Sequence, residues 1–298
     1  MALNLVEIFG YAPSDESAEA KVARKSLNCP FIQCECTKRF RDGTKSGVCT
    51  VKQTVDPSPI ICCPNRLYAG DYGILKDVAL EAFGNGVKLI SGKQVAKVDH
   101  DGRYVAVFGK RWGKELRLPK RGGRGSYFVD WILALIADNG HLREFVALEV
   151  QAIDTTGNYR AERDAYVKGG QFQGSSAAGL NWENVSKRIL PQIIYKGHVL
   201  RQERLCTKGL FFICPVPVYA RIRERLGGTL RPYAPQPGAL TFRSYDLGPE
   251  VSAGERRTLL AGDQLTTTID QVALAFTAPS NLPEAGVYQN AIEAELRR

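Results

Sequence analysis

The chain has 298 residues, of which 44% are hydrophobic and 24% are charged, as in globular proteins large enough to bury a substantial core. No run of about 18 apolar residues occurs, so we expect no transmembrane helix. The first residues lack the basic and apolar regions of a signal peptide. Lysine and arginine outnumber aspartate and glutamate by 40 to 31, a formal charge of +9, which favours polyanionic partners and above all nucleic acid.

The first part of the chain is predicted to hold helices on either side of a loop-rich segment. Residues 1–12 are expected to form a short strand or helix, residues 14–27 a helix, and Tyr72–Phe83 another helix with apolar residues at helical spacing. Between these two helices lies the cysteine segment, residues 28–66, which is rich in Gly, Pro, Asp and Thr. We expect this segment to form a small metal-binding subdomain.

Strand patterns dominate the middle of the chain. Short strands are predicted over Arg103–Val107 and Leu116–Leu118, and two strong strands over Tyr127–Ile136 and Glu144–Ile153. The sequence Asn139-Gly140 lies between the two strong strands and is a frequent hairpin turn, so we expect these strands to pair.

Helices and strands alternate in the remainder. The predicted elements are a helix from Gly157 to Lys168, a helix from Trp182 to Tyr195, an edge strand or strand end over Leu210–Val218, a helix over Val218–Leu226, a loop-rich stretch 227–258, and helices over Leu265–Ala275 and Glu284–Leu296. The order is typical of an α/β protein with a metal subdomain at its front. We expect an N-terminal region, residues 1–70, and a core with C-terminal helices, residues 71–298, packed as one compact unit.

Two acidic residues interrupt the apolar strands of the predicted hairpin. Asp130 lies in the first strand, and Glu149 shares a face of the second strand with Gln151, whereas the other face is wholly apolar and is expected to point into the core. Pairing of the strands would bring Asp130 near Glu149, and two converging carboxylates suit Mg²⁺. The alternative is structural, with Glu149 in a salt bridge to Arg103 or Lys168.

The cysteine segment has the residues of a tetrathiolate metal site. In a chain of this size without an export signal, a structural metal explains clustered cysteines better than disulfides do. Four thiolates bind zinc or iron tetrahedrally, and spacing alone selects neither the metal nor the four ligands. Buried apolar cysteines are the alternative interpretation. The six candidates are Cys29, Cys34, Cys36, Cys49, Cys62 and Cys63.

A basic, glycine-containing segment covers residues 110–125. A flexible basic loop can follow a phosphate backbone, although a solvated hairpin would have the same composition. The candidates for DNA contact in this segment are Lys120, Arg121 and Arg124. Three further candidates follow the acidic strand, namely Asp154, Tyr159 and Arg160.

Taken together, these segments resemble the NotI-type type II restriction endonucleases over about residues 4–200. The hairpin pattern is similar to the Asp…Glu-x-Lys core of the wider nuclease superfamily, with Gln151 in place of the lysine. The residues that carry the resemblance are Cys29-Pro30-Phe31, Glu35-Cys36-Thr37-Lys38, Ser46-Gly47-Val48-Cys49, Cys63-Pro64-Asn65-Arg66, Phe128-Val129-Asp130-Trp131 and Leu148-Glu149-Val150-Gln151, followed by Asp154.

The resemblance implies a restriction-endonuclease-like (PD-(D/E)xK) core with Asp130, Glu149 and Gln151 as catalytic residues and Mg²⁺ as cofactor. It also implies a structural tetrathiolate site, holding iron in the family, with the ligands Cys29, Cys36, Cys49 and Cys63. The implied protein is a homodimer that cleaves double-stranded DNA at a GC-rich palindrome in the cytoplasm of a bacterium. A companion DNA methyltransferase is expected in the host, but not as a stable partner.

Two other functions are consistent with the same residues. One is a repair nuclease that uses this core to cut by DNA structure rather than by sequence. The other is a DNA-binding regulator without catalytic activity, whose fold is stabilised by the metal at the cysteines. This function would leave Asp130, Glu149 and Gln151 unexplained. Metal-dependent cleavage separates the regulator from both nucleases, and discrete fragments separate the two nucleases from each other.

Overall fold

The structure is a computed structural model that describes residues 2–98, 103–110, 112, 115–118, 127–174, 176–279 and 282–297. Its N-terminal part consists of β1 (Leu3–Ile8), α1 (Ala18–Ser26), β2 (Asn28–Cys29), β3 (Cys34–Glu35), β4 (Val48–Gln53), β5 (Pro59–Ile61), a 3-10 helix (Pro64–Tyr68) and α2 (Ala69–Phe83). The middle part consists of β6 (Lys88–Ser91), a 3-10 turn (Val95–Lys97), β7 (Tyr104–Gly109), β8 (Arg117–Leu118), β9 (Tyr127–Phe128), β10 (Trp131–Ile136), β11 (Leu142–Val150), β12 (Thr155–Thr156), α3 (Arg160–Val167) and β13 (Gly179–Leu180).

A π-helical turn (Val185–Ile189) opens the last part and continues directly into a helix. The elements that follow it are α4 (Leu190–Arg201), β14 (Leu210–Pro215), α5 (Val216–Leu226), β15 (Ala239–Leu247), β16 (Leu259–Thr268), α6 (Ile269–Thr277) and α7 (Val287–Leu296). The described chain is therefore mixed α/β, as the sequence predicts. None of the helices in these described ranges is long and apolar enough to cross a membrane.

A seven-stranded mixed sheet organises the molecule, with the order β16-β15-β14-β11-β10-β7-β6. Strands β11, β14 and β15 run parallel to one another, as do β6 and β7, whereas β10 is antiparallel to both of its neighbours and β16 is antiparallel to β15. The hairpin of β10 and β11 therefore lies near the middle of the sheet, where neighbouring strands fix its position on both sides.

Both faces of this sheet are buried. On one face, Ala147, Phe212 and Phe242 pack against residues of α4, α5 and α6. On the other face, Leu148 and Phe211 pack against α2 and the cysteine segment. The predicted alternation along β11 is present, but helices also cover the face that carries Glu149, which the sequence pattern alone does not show.

The C-terminal third differs from the prediction. The stretch 227–258, predicted as loop-rich, contains β15, which pairs with a strand on each side. The predicted helix over Leu265–Ala275 begins instead as the end of β16, because three consecutive threonines favour a strand. Helix α6 starts only at Ile269, where the Thr268 hydroxyl accepts a hydrogen bond from the Gln271 backbone N at 3.3 Å. Strand β14 lies inside the sheet rather than at its edge, and Pro215 ends it, as predicted.

The cysteine segment packs onto the rest of the chain through a second, smaller sheet with the order β1-β4-β5. The Leu5 backbone N donates to Glu162 Oε1 at 3.0 Å, which joins β1 to α3. The Arg66 Nη2 donates to the Arg257 carbonyl at 2.6 Å, which joins the 3-10 helix to the loop before β16. The small sheet and the 3-10 helix that follows it therefore contact two parts of the chain that come after the central hairpin.

A buried ion pair holds the small sheet against the 3-10 helix. Arg66 is fully buried and donates to both carboxylate oxygens of Glu7, at 2.8 and 3.1 Å, while the Thr50 hydroxyl donates to Glu7 Oε2 at 2.5 Å. The two side chains compensate each other's charge, and removal of one partner would leave the other charge buried alone.

Glu7→Gln is expected to lower the free energy of unfolding by roughly 3–5 kcal/mol, because it leaves the Arg66 guanidinium uncompensated. Urea denaturation followed by circular dichroism measures this loss. The matched control is Glu16→Gln, which removes an exposed partner of Lys21 and is expected to change the stability little. Equal losses for both variants would contradict a structural role for the buried pair.

Candidate active site

Asp130 lies immediately before β10, at one end of the central hairpin. Trp131 pairs with Leu148 across β10 and β11, so the next residues along each strand, Asp130 and Glu149, face each other at the end of the pair. The Oδ2 of Asp130 accepts a hydrogen bond from the Val150 backbone N at 2.8 Å. The predicted hairpin is thus confirmed, and it brings the two acidic segments together.

Glu149 is a buried residue of β11 with an exposed fraction of 2%. Its Oε1 lies 2.5 Å from Nζ of Lys196, which comes from α4 and whose side chain is 13% exposed. The side chain of Gln151 also donates a hydrogen bond to Glu149. The alternative interpretation names Arg103 or Lys168 as a salt-bridge partner of Glu149, and the structure shows Lys196 in that place instead.

The electrostatics of the two carboxyl groups are coupled. Burial, and after it the neighbouring Asp130 carboxylate, raise the pKa of Glu149, while the Lys196 ammonium and the Gln151 side chain lower it, and the net result is a pKa of about 7. Burial also raises the pKa of Asp130, against the Val150 hydrogen bond and Lys196, which lower it. A buried carboxylate next to a partly buried one favours a cation between them.

A cavity of about 200 Å³ lies beside Asp130 at this end of the sheet. Asp130, Trp131 and Val150 form its floor, and Lys110 and Glu115 also line it. Asp130 responds electrostatically to both of these charged residues. The cavity therefore has acidic and basic groups within reach of a ligand at Asp130.

Residues that follow cysteines form another wall of this cavity. Thr37 follows Cys36, and Pro64 and Asn65 follow Cys63. The Asn65 side-chain amide donates to the Thr37 hydroxyl at 2.8 Å, which joins the two segments. The cysteine segment thus helps to shape the pocket at the acidic pair.

Lys196 was not among the residues predicted for the site. In α4, the buried positions Leu190, Ile193, Gly197 and Leu200 recur at helical spacing and define the face that packs on the sheet. Lys196 lies at the margin of that face, and lysine is seldom buried unless it has a partner. This spacing was a usable signal for a buried ion pair, although it does not identify the carboxylate.

The four cysteines of the predicted ligand set are buried and influence one another electrostatically. Cys29, Cys36, Cys49 and Cys63 are all buried, and none of the eight cysteines is in a disulfide. Burial raises the pKa of the Cys29 thiol to about 11 and that of Cys63 to about 12, and it also raises that of Cys49. Cys29 interacts electrostatically with each of the other three thiols. A metal cation at this cluster would offset the cost of four buried thiolates.

Two cations border this cluster. The Lys38 ammonium donates to the Cys62 carbonyl at 3.0 Å and counteracts the raised pKa of Cys63, while the Arg66 guanidinium counteracts that of Cys49. A divalent metal with four thiolates has a net negative charge, which such cations would balance.

Over the described ranges, no three His, Cys, Asp or Glu side chains are arranged closely enough to hold a metal. The ligand set therefore stays a prediction.

The predicted DNA-contacting residues that can be located are paired within the protein. Asp154 accepts from Asn184 at 2.8 Å and from Arg188 at 3.2 Å. Tyr159 is buried, and its hydroxyl lies 3.0 Å from the Ser46 hydroxyl. Arg160 pairs with Asp42 and with Asp164. Lys120, Arg121 and Arg124 lie outside the described residues.

The architecture, a large mixed sheet between helices with an acidic pair at the end of its central hairpin, is compatible with a nuclease-like fold. The family model described as restriction endonuclease NotI matches residues 15–205, which is well over half of the chain and includes both the cysteine segment and the acidic hairpin. The chain therefore belongs to the NotI restriction endonuclease family. No curated protein matches it. Family membership implies a type II restriction endonuclease, whose substrate is DNA.

Proposed function

We propose that the protein cleaves both strands of DNA in a reaction that depends on Mg²⁺ held at Asp130 and Glu149. The observation that supports this proposal is the juxtaposition of the buried Glu149 carboxylate with the partly buried Asp130 carboxylate, which lines a cavity together with Lys110 and Glu115. Buried like charges destabilise each other, and a divalent cation that prefers oxygen ligands relieves that repulsion.

Each residue of the site has a distinct role in this proposal. When bound, Mg²⁺ supplies positive charge to the scissile phosphate and lowers the pKa of a bound water. Asp130 and Glu149 would hold the ion, and the Val150 carbonyl is a further candidate ligand, because the peptide that carries it is held in place by the hydrogen bond from the Gln151 backbone N to the Ile213 carbonyl at 2.9 Å. Gln151 cannot act as a base, and its amide orients water or phosphate.

Sequence specificity belongs to the same proposal. A palindromic site has two-fold symmetry, so two copies of the chain would bind it as a homodimer, with one active site for each strand. Arginine and lysine read guanine in the major groove, which suits a GC-rich palindrome and a basic protein. Lys120, Arg121 and Arg124 are the proposed contacts from the basic segment, and a companion methyltransferase would protect the host DNA.

The cysteine cluster is proposed as a structural site for iron or zinc, with Cys29, Cys36, Cys49 and Cys63 as ligands. Four thiolates fill the coordination sphere of a tetrahedral metal and leave no position for hydrolysis. The contribution of the metal would be to hold the segments that carry Thr37, Pro64 and Asn65 against the acidic pair.

Digestion of a long, sequenced, GC-rich DNA tests the proposed function. The protein is incubated with Mg²⁺ and, separately, with excess chelator. Discrete fragments that require Mg²⁺ are expected, and sequencing their ends gives the recognition site and the cut position. Cleavage without discrete fragments would favour the structure-specific nuclease, and intact DNA with a persistent gel shift would favour the regulator.

Metal binding at the acidic pair is expected to depend on pH. Because the pKa of Glu149 is raised to about 7, protons compete with the metal below that pH. The affinity for Ca²⁺, a hard cation that binds without supporting chemistry here, should fall by up to about tenfold per pH unit below pH 7. Calorimetric titration from about pH 5.5 to about pH 8 measures this dependence. Affinity that is constant over this range would contradict Glu149 as a ligand, and Glu149→Gln should bind weakly at every pH.

A further inference from the structure

The residue that occupies the lysine position of the wider nuclease pattern, Gln151, carries no charge. A lysine nevertheless reaches the acidic pair from another element, because Nζ of Lys196 on α4 lies 2.5 Å from Glu149 Oε1. Lys196 also lowers the pKa of Asp130 electrostatically, so its charge acts on both carboxylates. The site therefore contains two carboxylates and one ammonium, although the strand itself supplies no lysine.

Removing the Lys196 ammonium and the Glu149 carboxylate from water costs free energy that a purely structural contact seldom recovers. The side chain of Lys196 is 13% exposed and that of Glu149 is 2% exposed, so both charges have lost most of their water. A buried ion pair rarely stabilises a fold more than apolar residues of the same size would. A buried carboxyl with a raised pKa, such as that of Glu149, is more typical of a functional site.

Helix α4 holds Lys196 in a fixed place. Gly197, the next residue, lies so close to Ile269 of α6 that an added Cβ would come within 2.5 Å of that side chain. Ile193 and Leu200 are buried on the same face of the helix. The packing of α4 against α6 therefore fixes the backbone of Lys196 relative to the end of β11, and only its side chain has to move.

We infer that Lys196 is a catalytic residue of this nuclease, and that its ammonium contacts the scissile phosphate once Mg²⁺ has taken its place at Glu149. The inference rests on the proposed function and adds to it the residue that supplies the third charge. In the metal-free protein Lys196 neutralises Glu149. With DNA and metal bound, the flexible lysine side chain is free to move from the carboxylate to a phosphate oxygen.

The chemical step leaves Lys196 unchanged. The oxygen of a water molecule forms the new bond to phosphorus, and the bond from phosphorus to the leaving sugar oxygen breaks. One proton of the water ends on the leaving oxygen, and the other passes to solvent as the product phosphate ionises. The Lys196 ammonium keeps its protons and stabilises the negative charge that develops on the phosphate oxygens in the transition state.

Three variants test this role in the full-length protein. Lys196→Met removes the charge and keeps the length of the side chain, and Lys196→Arg keeps the charge. The matched control is Lys208→Met, because Lys208 pairs with Glu144 at the other end of β11, with Nζ 3.4 Å from Oε2. Cleavage is measured under single-turnover conditions with saturating Mg²⁺, and Ca²⁺ binding to the DNA-free protein is measured by calorimetry.

Lys196→Met is expected to slow cleavage by about 10²–10³-fold, as is typical for the loss of one group that stabilises transition-state charge. Its affinity for Ca²⁺ should equal or exceed that of the wild type, because the ammonium no longer competes for Glu149. Lys196→Arg should recover part of the rate, and Lys208→Met should stay within about threefold of the wild type.

Opposite changes in cleavage and in metal binding distinguish a catalytic lysine from a supporting one. If Lys196→Met loses Ca²⁺ binding in step with cleavage, or cleaves within about threefold of the wild-type rate, the inference is overturned. If Lys196→Met does not fold, Lys196→Arg is the variant that tests the inference. A folded Lys196→Arg protein that binds Ca²⁺ but does not cleave DNA would also overturn the inference. Wild-type protein that binds DNA without cutting it would refute the proposed function itself.

Discussion

Asp130→Asn and Glu149→Gln are each expected to slow DNA cleavage by about 10³-fold or more, because each removes a charged ligand of the proposed metal and with it several kcal/mol of transition-state stabilisation. The amide groups keep the size of the side chains. In particular, the side-chain carbonyl oxygen of the Asp130→Asn variant can still accept the hydrogen bond that Asp130 accepts from the Val150 backbone N. The loss of rate should therefore reflect charge rather than shape.

The stability of the metal-free protein is expected to change much less in Glu149→Gln than the rate of cleavage does. The pKa of Glu149 in the folded protein, about 7, lies above its ordinary value of 4.5. In the metal-free protein this carboxyl thus contributes stability that is present at acidic pH and is lost as the pH rises through about 7. At pH 8, Glu149→Gln removes the cost of ionising this carboxyl but also takes away the carboxylate partner of Lys196, so the two effects offset each other and the variant should unfold within a few degrees of the wild type. An active site that costs stability without its cofactor is common among enzymes.

Two control variants on the same hairpin test whether the loss of cleavage is specific to the proposed metal ligands. Asp138→Asn changes an exposed acid in the turn, and Glu144→Gln changes a paired acid at the other end of β11. Both are expected to cleave at nearly the wild-type rate. DNA affinity without metal, measured by fluorescence anisotropy, should be retained or slightly tighter in Asp130→Asn, because one negative charge is removed. Cleavage by Asp130→Asn at the wild-type rate would refute the proposed site.

The part of the site that the sequence predicted depends on local signals. The turn at Asn139-Gly140 fixes the pairing of β10 and β11, and the alternation of side chains then determines which residues meet at the end of the hairpin. Asp130 and Glu149 could therefore be placed together without any knowledge of the rest of the fold.

Lys196 could not be predicted from such signals, because its partner lies 47 positions away on another element. Strand β15 was missed for a similar reason. Its polar residues are satisfied by α2, since Arg243 donates to Glu81 at 2.9 Å and the Tyr245 hydroxyl donates to Asp77 at 2.7 Å. These partners make a polar sequence acceptable inside a sheet, and no local pattern reveals them.

Loss of the metal proposed at the cysteines is expected to have the largest effect on stability. Structural zinc contributes about 10 kcal/mol or more to the folding of small thiolate domains, so Cys63→Ser should lower the stability by several kcal/mol and the unfolding temperature by roughly 10 °C or more. Differential scanning calorimetry measures this loss. Metal content, measured by mass spectrometry, should fall from one iron or zinc per chain to a small fraction of that.

Two cysteines that are close in sequence provide a control for the identity of the metal ligands. Cys34 and Cys36 lie two residues apart, but Cys36 is buried, whereas Cys34 is partly exposed and its thiol donates to the Glu35 carbonyl at 3.3 Å. Cys36→Ser should lose the metal, and Cys34→Ser should retain it. Metal that is lost from Cys34→Ser and kept by Cys36→Ser would assign the ligand to the other cysteine of the pair.

Loss of the metal proposed at the cysteines should also change the structure of the active site. Pro64 and Asn65 directly follow Cys63 and line the cavity beside Asp130, and Asn65 is tied to Thr37, which follows Cys36. Cys36→Ser and Cys63→Ser should therefore slow cleavage even below their unfolding temperatures, while Cys34→Ser should not. Full activity in a metal-depleted and folded Cys63→Ser protein would mean that the cysteine cluster supports only the stability of the fold and does not shape the catalytic pocket.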